Sequence, residues 1–235
     1  MIKNKKILAI IPARKNSKRV KNKNVVSINN KPLVSYAIES ALKSKFIDKI
    51  IVSSDDKKII NISKKLGIKV SGLRPANLSR DKSKTIDVIK YEINKLRENN
   101  EIFDYVILLQ PTSPLRTYRH IDESISMLIK KNAKCIVSVC ELEHPIEWTN
   151  TLHKNLSMSN FLKEGIQGKR SQDFKKNYRL NGAIFLSEIK DVIKQNKLLL
   201  SEKSYAYVMP ILDSIDIDNE LDINFVKYLI KKKNG

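Results

Sequence analysis

The sequence predicts an α/β domain built on a mainly parallel sheet with helices on both faces. Short apolar runs alternate with amphipathic helical patterns along most of the chain, which indicates right-handed βαβ units. The chain has 235 residues, of which 41% are apolar, enough to bury the core of one such domain. Polar segments follow several of the apolar runs, as expected for a ligand site at the carboxyl ends of parallel strands.

The individual elements follow from periodicity and from the residues that end helices. The apolar run at Ile7–Ile11 predicts the first strand, and the pattern of Lys57–Leu66 predicts a helix that ends before Gly67. Strands are predicted at Ile7–Ile11, Lys49–Ser53, Ile68–Gly72, Tyr105–Leu109, Cys135–Val139, Gly182–Leu186 and Tyr205–Met209. Helices are predicted at Leu33–Lys43, Lys57–Leu66, Ser83–Glu98, Ile121–Lys131, after Ser187 and from about Asn219.

The alternation stops between Glu141 and Asn177, a stretch of 37 residues with weak periodicity. Ordinary connections are shorter, so this stretch is expected to have a role of its own. The sequence therefore predicts one α/β domain made of residues 1–140 and 178–235, with an excursion at residues 141–177 inserted in it. Apolar residues that a monomer would struggle to bury favour a homodimer interface there: Ile146, Trp148, Leu152, Phe161, Leu162 and Ile166.

Composition excludes several classes of function. The net charge of +20 invites a nucleic-acid partner, but the lysines are spread over the whole length and no aromatic-plus-basic recognition pattern is present, so no nucleic-acid partner is expected. No apolar run is long enough to span a bilayer, and the sequence favours a cytoplasmic protein without signal peptide or membrane partner. Cys135 and Cys140 point to opposite faces of a predicted strand, so no disulfide is expected.

The segment Ile10–Val25 places six Lys or Arg residues in sixteen positions without a glycine. A loop of this kind after a strand can offer backbone N–H groups to phosphates while its cations neutralise them. The alternative is a solvated basic loop. The segment resembles the nucleotide-binding loop, "IPARxxSKxxxxKN", of cytidylyltransferases that activate acidic nine-carbon sugars. The matching residues are Arg14, Ser17, Lys18, Lys23 and Asn24, whereas Lys15, Asn16 and Arg19 depart from the usual small residues.

The segment Leu109–Arg116, "LQPTSPLR", resembles the sugar-side loop of the same family. Its two prolines stiffen the turn and reduce the entropy lost when Gln110, Thr112 and Ser113 are held toward a ligand. The alternative is a proline-rich lead into a helix, with Thr112 or Ser113 as the cap.

The segment Tyr178–Phe185 resembles the R-x-N-G-A-I segment of that family, in which the Arg and the Asn face the acidic sugar. Arg179 can hold a carboxylate through a bidentate fork, and Asn181 is expected to contact a hydroxyl or amide group. Phe185, Leu199 and Leu200 stand where some relatives carry residues that line the sugar pocket.

Two aspartates near the end of the chain suggest a metal site. In an extended segment Asp216 and Asp218 point to one face and can share one divalent cation. The alternative is an acidic turn that caps the last helix, with Glu220 and Asp222 in its first turn.

The match extends from Ile7 to about Leu229, with the motifs in family order, and the chain resembles the N-acylneuraminate (CMP-sialic acid) cytidylyltransferase family. The resemblance implies a Rossmann-like nucleotidyltransferase fold, a homodimer, and CMP transfer from CTP to an acidic nonulosonic sugar, N-acetylneuraminic acid favoured, for cell-surface glycan synthesis. The alternatives are another acidic sugar (legionaminic acid, pseudaminic acid or Kdo) and a non-catalytic basic nucleic-acid-binding module. By resemblance, Arg74, Ser83 and Thr85 contact the nucleotide, Mg²⁺ or Mn²⁺ binds Asp216 and Asp218, and the catalytic residues are Arg14, Lys23, Asp216 and Asp218.

Overall fold

The computed structural model describes residues 5–70 and 72–234, which form eight strands and six helices. The strands are β1 Ile7–Pro12, β2 Ser27–Ile28, β3 Lys31–Pro32, β4 Lys49–Ser53, β5 Tyr105–Leu108, β6 Cys135–Glu141, β7 Tyr178–Glu188 and β8 Ser204–Val208. The helices are α1 Leu33–Leu42, α2 Lys57–Lys65, α3 Thr85–Glu98, α4 Tyr118–Lys130, α5 Ile189–Gln195 and α6 Glu220–Asn234. Within the described ranges, no helix has the length and apolar character needed to cross a bilayer.

Six of the strands form one sheet in the order β4-β1-β5-β7-β6-β8. All neighbours are parallel except at β7, which runs antiparallel to both β5 and β6. The carboxyl ends of β1 and β5 therefore meet the beginning of β7 at one edge of the sheet. This arrangement confirms the predicted mainly parallel sheet with helices on both faces.

The core fills both faces of this sheet. One face packs against α1, α2 and α4 through residues such as Ile38 and Ile125, and the other packs against α3 and α5 through Ile93 and Val192. Full burial of each such side chain contributes roughly 1.5–3 kcal/mol to folding. Cys135 and Cys140 are buried and free.

A smaller apolar cluster holds the last helix, α6, against the rest of the domain. Ile223 and Val226 of α6 pack with Ile28 of the hairpin β2–β3, together with Val20 and Leu115. The hairpin was not predicted, although its turn residues Asn29 and Asn30, with φ of 46° and 64°, are typical of a two-residue hairpin.

The predicted strand Ile68–Gly72 is wrong for residues 68–70 and 72, which belong to no strand, and Ser71 lies outside the described residues. Gly67 and Gly72 have φ of 84° and 124°, so the chain turns at both ends of this short run. Ile68 is buried by packing against the core rather than by a sheet ladder.

The excursion contains only short 3₁₀ turns, Ile146–Trp148 and Ser171–Asp173, between the end of β6 and the start of β7. The Trp148 ring packs edge-on against Phe174, with 5.9 Å between centroids. Several apolar side chains are exposed, among them Leu156 at 72% and Met158 at 60%. The predicted role of this excursion in dimerisation remains a prediction.

Candidate active site

A cleft of about 400 Å³ opens at the carboxyl ends of β1 and β5. Ten of the predicted site residues line it: Arg14, Ser17, Lys18, Lys23, Asn24, Arg74, Ser83, Thr85, Gln110 and Thr112. Its wall also contains residues that were not predicted to bind a ligand, including Arg19, Arg80 and Asp81. The sheet thus brings three separate sequence segments to one place.

The opening loop is held in shape without a glycine. Asn24 donates a hydrogen bond from Nδ2 to the Arg14 carbonyl at 2.9 Å, and the Lys15 N–H donates to Asp55 Oδ1 at 2.8 Å. Asn22 adopts the left-handed conformation, with φ of 54°, which asparagine tolerates better than most residues. Asn22 therefore supplies the left-handed backbone conformation for which such a loop would often use glycine.

Two cations of this loop converge on one carboxylate. Arg14 Nη1 lies 2.9 Å from Asp81 Oδ1, and Lys18 Nζ lies 3.1 Å from Asp81 Oδ2. The hydrogen bond from Lys18 and the charges of both cations lower the pKa of Asp81. Asp81 was not predicted as a site residue, because in the sequence it is a single acidic residue among several cations.

Two further cations of the loop meet the acidic segment before α6. Arg19 Nη1 lies 2.7 Å from Asp218 Oδ2, and Lys23 Nζ lies 3.3 Å from Asp218 Oδ1. Lys23 is buried and also donates to the Ile217 carbonyl. The opening loop and the acidic segment are therefore joined directly.

Asp216 lies deeper than Asp218. Burial raises the pKa of its carboxyl group; the Thr112 hydroxyl opposes the shift and the Asp218 carboxylate adds to it. Asp216 Oδ1 is buried and has no hydrogen-bond partner among the described residues. A buried oxygen of this kind fits a site for a cation.

Neither predicted metal ligand caps the last helix. Asn219 Oδ1 accepts from the Asp222 N–H at 3.1 Å, and Asp222 Oδ2 accepts from the Asn219 N–H at 2.9 Å and the Asp218 N–H at 2.7 Å. These bonds form a reciprocal cap at the helix N-terminus. The capping alternative is therefore correct for Asp222 and wrong for the side chains of Asp216 and Asp218.

Arg74 extends the cationic wall toward α3. Burial lowers the pKa of its guanidinium, while the carboxylate of Asp55, 3.7 Å away, opposes the shift. Its Nε and Nη2 atoms are buried without a hydrogen-bond partner in the described part of the chain. Donors left unpaired at the wall of a cleft are suited to acceptors on a ligand.

Ser83 and Thr85 differ in their availability to a ligand. The Ser83 hydroxyl donates to the Asn77 carbonyl at 2.9 Å and accepts from the Arg80 N–H at 3.1 Å, so it holds a turn together. Thr85 is the exposed first residue of α3.

The sugar-side loop lies against a bulge in β7. The register between β6 and β7 shifts between Val137 and Val139, and residues 181–184 of β7 lie opposite this shift. Gly182 has φ of 75°, and a Cβ there would lie 3.7 Å from Gln110 Oε1. Ser113 is buried with an unpaired Oγ and is not part of the cleft wall.

Arg116 joins this loop to the bulge and was not predicted. It is fully buried, and its Nη1 donates to the carbonyls of Gln110 at 3.0 Å and Ala183 at 2.9 Å. Burial lowers the pKa of this guanidinium to about 9. No carboxylate pairs with it among the described residues, so Arg116 adds positive charge beneath the loop.

Asn181 is turned inward rather than toward the cleft. Its Oδ1 accepts from Ser138 Oγ at 2.6 Å, and its Nδ2 donates to Ser214 Oγ at 2.8 Å. The expectation that its amide contacts the sugar conflicts with these bonds, which use the amide to fix the bulge. Arg179 lies at the same edge of the sheet, exposed and outside the cleft wall.

Leu199 and Leu200 lie away from the cleft, and their assignment to the sugar site stays a prediction. The neighbouring Leu198 carbonyl accepts a hydrogen bond from Ser187 Oγ at 2.6 Å, near the end of β7. Because β7 is antiparallel, its end lies beside the start of β5, at the edge of the sheet opposite the cleft. Leu200 is buried there in the core, whereas Leu199 is exposed. Phe185 lies in mid-strand, paired with Leu108 and outside the cleft wall.

Comparison with known proteins identifies the family. Residues 8–160 match a family model described as Cytidylyltransferase. A pseudaminic acid cytidylyltransferase of Campylobacter jejuni is 34% identical over 226 residues, which cover 96% of this chain and 97% of that protein. A CMP-N,N'-diacetyllegionaminic acid synthase of Legionella pneumophila is 34% identical, covering 92% of this chain and 93% of that protein. An N-acylneuraminate cytidylyltransferase of Escherichia coli is 33% identical, covering 97% of this chain and 53% of that protein.

Solved structures agree on the fold. A CMP:2-keto-3-deoxy-manno-octonic acid synthetase complexed with CTP superposes with a TM-score of 0.68 at 17% identity, covering 97% of this chain and 99% of that one. A 4-diphosphocytidyl-2C-methyl-D-erythritol synthase from Anaerococcus prevotii gives 0.67 at 15% identity with the same coverage. The predicted nucleotidyltransferase fold is confirmed. The chain belongs to the cytidylyltransferase family that includes the N-acylneuraminate, pseudaminic acid and legionaminic acid enzymes.

Proposed function

We propose that this chain transfers the cytidylyl group of CTP to the anomeric hydroxyl of an acidic nine-carbon sugar and releases pyrophosphate. The observation that carries the proposal is the concentration of cations in one cleft at the carboxyl edge of the sheet. The opening loop supplies four of them, and the segment before α3 supplies two more. Such a wall suits a nucleoside triphosphate, and the family membership supports CTP.

Charge neutralisation is the main demand of this reaction. The sugar carboxylate and the triphosphate are both anionic, and at ~5 Å with an effective dielectric constant of about 20 each pair of unit charges repels by roughly 3 kcal/mol. Arg14 and Lys18 would neutralise the triphosphate, and Lys23 would hold it near the acidic segment. Gln110 would orient the sugar, with Arg179 as the partner for its carboxylate.

In the proposed step the anomeric oxygen forms a bond to the α-phosphorus. The bond from that phosphorus to the oxygen bridging to the β-phosphate breaks, pyrophosphate leaves, and the hydroxyl proton passes to solvent water. The positions of the two reactants, rather than a covalent enzyme intermediate, would account for most of the acceleration.

We also propose Mg²⁺ or Mn²⁺ as the cofactor, held by Asp216 and Asp218. Magnesium commonly takes one or two carboxylates together with substrate phosphates. The buried, unpaired Asp216 Oδ1 supports this assignment, and the described residues contain no larger group of His, Cys, Asp or Glu that would make an all-protein site. When bound, such an ion would neutralise phosphate charge and lower the pKa of a nearby hydroxyl.

N-acetylneuraminic acid is the acceptor that the sequence favours. Pseudaminic acid is the second candidate. Two relatives named pseudaminic acid cytidylyltransferase match over nearly their whole length and over nearly the whole of this chain. The similarity to the legionaminic and N-acylneuraminate enzymes is almost as high, so identity alone does not separate the sugars.

The test is pyrophosphate release from CTP with a panel of sugars, with and without magnesium. We expect release that requires a nonulosonic acid and depends on the metal, and CTP should be preferred to UTP by a large factor because a site built around the cytosine amino group penalises its absence. A kcat/KM for pseudaminic or legionaminic acid more than about tenfold above that for N-acetylneuraminic acid would reassign the acceptor. Comparable turnover of UTP, or no release with any sugar, would contradict the proposed function.

A further inference from the structure

A tight turn before α3 presents one carboxylate to the opening loop. The Ser83 N–H donates to the Arg80 carbonyl at 3.0 Å, and the Ser83 hydroxyl binds both the Arg80 N–H and the Asn77 carbonyl. Asp81 lies at the tip of this turn. The backbone position of Asp81 is therefore fixed by hydrogen bonds that do not involve its carboxylate.

The Asp81 carboxylate forms ion pairs with two of the cations that line the cleft. Each of its oxygens contacts a different one, Arg14 at 2.9 Å and Lys18 at 3.1 Å, and all three side chains line the cleft. The Arg14 guanidinium also lies 3.5 Å from the Arg80 carbonyl. Two oxygens bridging an arginine and a lysine reproduce the contacts that one phosphate group would make.

We propose that Asp81 competes with the phosphates of CTP for Arg14 and Lys18, and thereby sets the affinity for CTP and the rate at which pyrophosphate leaves. The inference rests on the proposed function, because it takes the anion to be the triphosphate of CTP. Asp81 is a positioning residue that acts through these two cations.

Competition of this kind has a physical advantage at a strongly cationic site. A triphosphate carries several negative charges, so it displaces a single carboxylate and recruits both cations. After the reaction Asp81 recovers the same cations, and pyrophosphate loses its partners one at a time. Without Asp81 the two cations would have no carboxylate partner, and every phosphate anion would bind more tightly.

The test measures the affinity for CTP and for pyrophosphate by calorimetry at fixed ionic strength and fixed magnesium. Asp81→Asn removes the charge and keeps the size of the side chain, whereas Asp81→Glu keeps the charge. Asp87→Asn is the matched control: Asp87 is exposed in the first turn of α3, forms no ion pair among the described residues, and gives the same change in net charge. Melting temperatures establish that all variants are folded.

We expect Asp81→Asn to bind both anions at least about fivefold more tightly than Asp87→Asn, the effect of removing two partly exposed ion pairs. Asp81→Glu should stay near wild type, and pyrophosphate should inhibit Asp81→Asn more strongly. Unchanged or weaker binding of both anions by Asp81→Asn would overturn the inference. Tighter pyrophosphate binding with no CTP binding by any variant would overturn the inference for CTP and reject the proposed function, and would show that Asp81 competes with a different phosphate anion.

Discussion

Arg19 Nη1 lies 2.7 Å from Asp218 Oδ2, so a cation of the opening loop is paired with the acidic segment that precedes the last helix. The two residues are 199 positions apart in the sequence. Lys23 contacts the other oxygen of the same carboxylate. If Asp218 holds a metal ion as proposed, binding of that ion would compete with these two ion pairs.

Asp218→Asn separates the proposed metal role from a structural one. The cap of α6 is formed by Asn219 and Asp222, so the substitution should leave the helix intact. Loss of a charged oxygen ligand should lower kcat at least about a hundredfold, roughly 2.7 kcal/mol of transition-state stabilisation. The melting temperature should fall only slightly, because the ion pairs that are lost are partly exposed.

Steady-state kinetics at saturating CTP, with magnesium varied, check this prediction. Asn219→Ala is the control, since it removes the cap and costs stability, about 1 kcal/mol, without a comparable loss of kcat. Near-normal activity of Asp218→Asn at low magnesium would contradict the metal assignment.

Arg116→Met should affect the sugar more than the nucleotide. Methionine fills a similar volume but leaves two carbonyls without this donor, so stability should fall by about 1–3 kcal/mol. Loss of the hydrogen bonds to the Gln110 and Ala183 carbonyls should raise KM for the sugar by about tenfold, because a hydrogen bond from a charged donor contributes roughly 1.5 kcal/mol. An equal rise in KM for CTP and for the sugar would show that Arg116 is only part of the core.

His120 should make stability depend on pH. Burial lowers its pKa below the ordinary 6.5, although Asp213 and Glu123 oppose the shift. Its Nδ1 accepts from the Thr117 N–H, which requires an unprotonated nitrogen. The native state therefore binds fewer protons than the unfolded state, so stability is complete above pH 6.5 and is lost as the pH falls through the lowered pKa.

Melting curves of wild type and His120→Gln between about pH 7.5 and about pH 5 test this dependence. Glutamine at this position can complete the cap of α4 at any pH. We expect the melting temperature of wild type to fall more than that of the variant on acidification. Parallel curves would show that His120 does not titrate in this range.

Light scattering at micromolar concentration should find a homodimer formed through the excursion. Leu152 is 56% exposed there, and Leu152→Asp should raise the dimer dissociation constant at least about tenfold. Leu221→Asp is the control, because Leu221 is 79% exposed on α6, outside the excursion. A wild-type monomer, or equal effects of both substitutions, would contradict the prediction.

The sequence by itself determined most of the elements and the cations of the opening loop that line the cleft. Buried strands such as β1 and β4 follow from local apolar runs, and the cations of the opening loop follow from a motif within sixteen positions. These features depend on neighbouring residues, so periodicity and spacing are enough to find them. The prediction of a strand at Ile68–Gly72 was wrong because an apolar run does not reveal that Gly67 and Gly72 have positive φ.

Only the tertiary structure decided which side chains meet. Asp81 and Arg14 are 67 positions apart and come together because β4 and β5 both lie beside β1, an order that no local pattern encodes. Leu199 and Leu200 lie at the edge opposite the cleft because β7 runs antiparallel and carries the chain back to the amino ends of its neighbours. Strand order and direction result from packing both faces of the sheet at once, and the partners of a charged side chain follow from that packing.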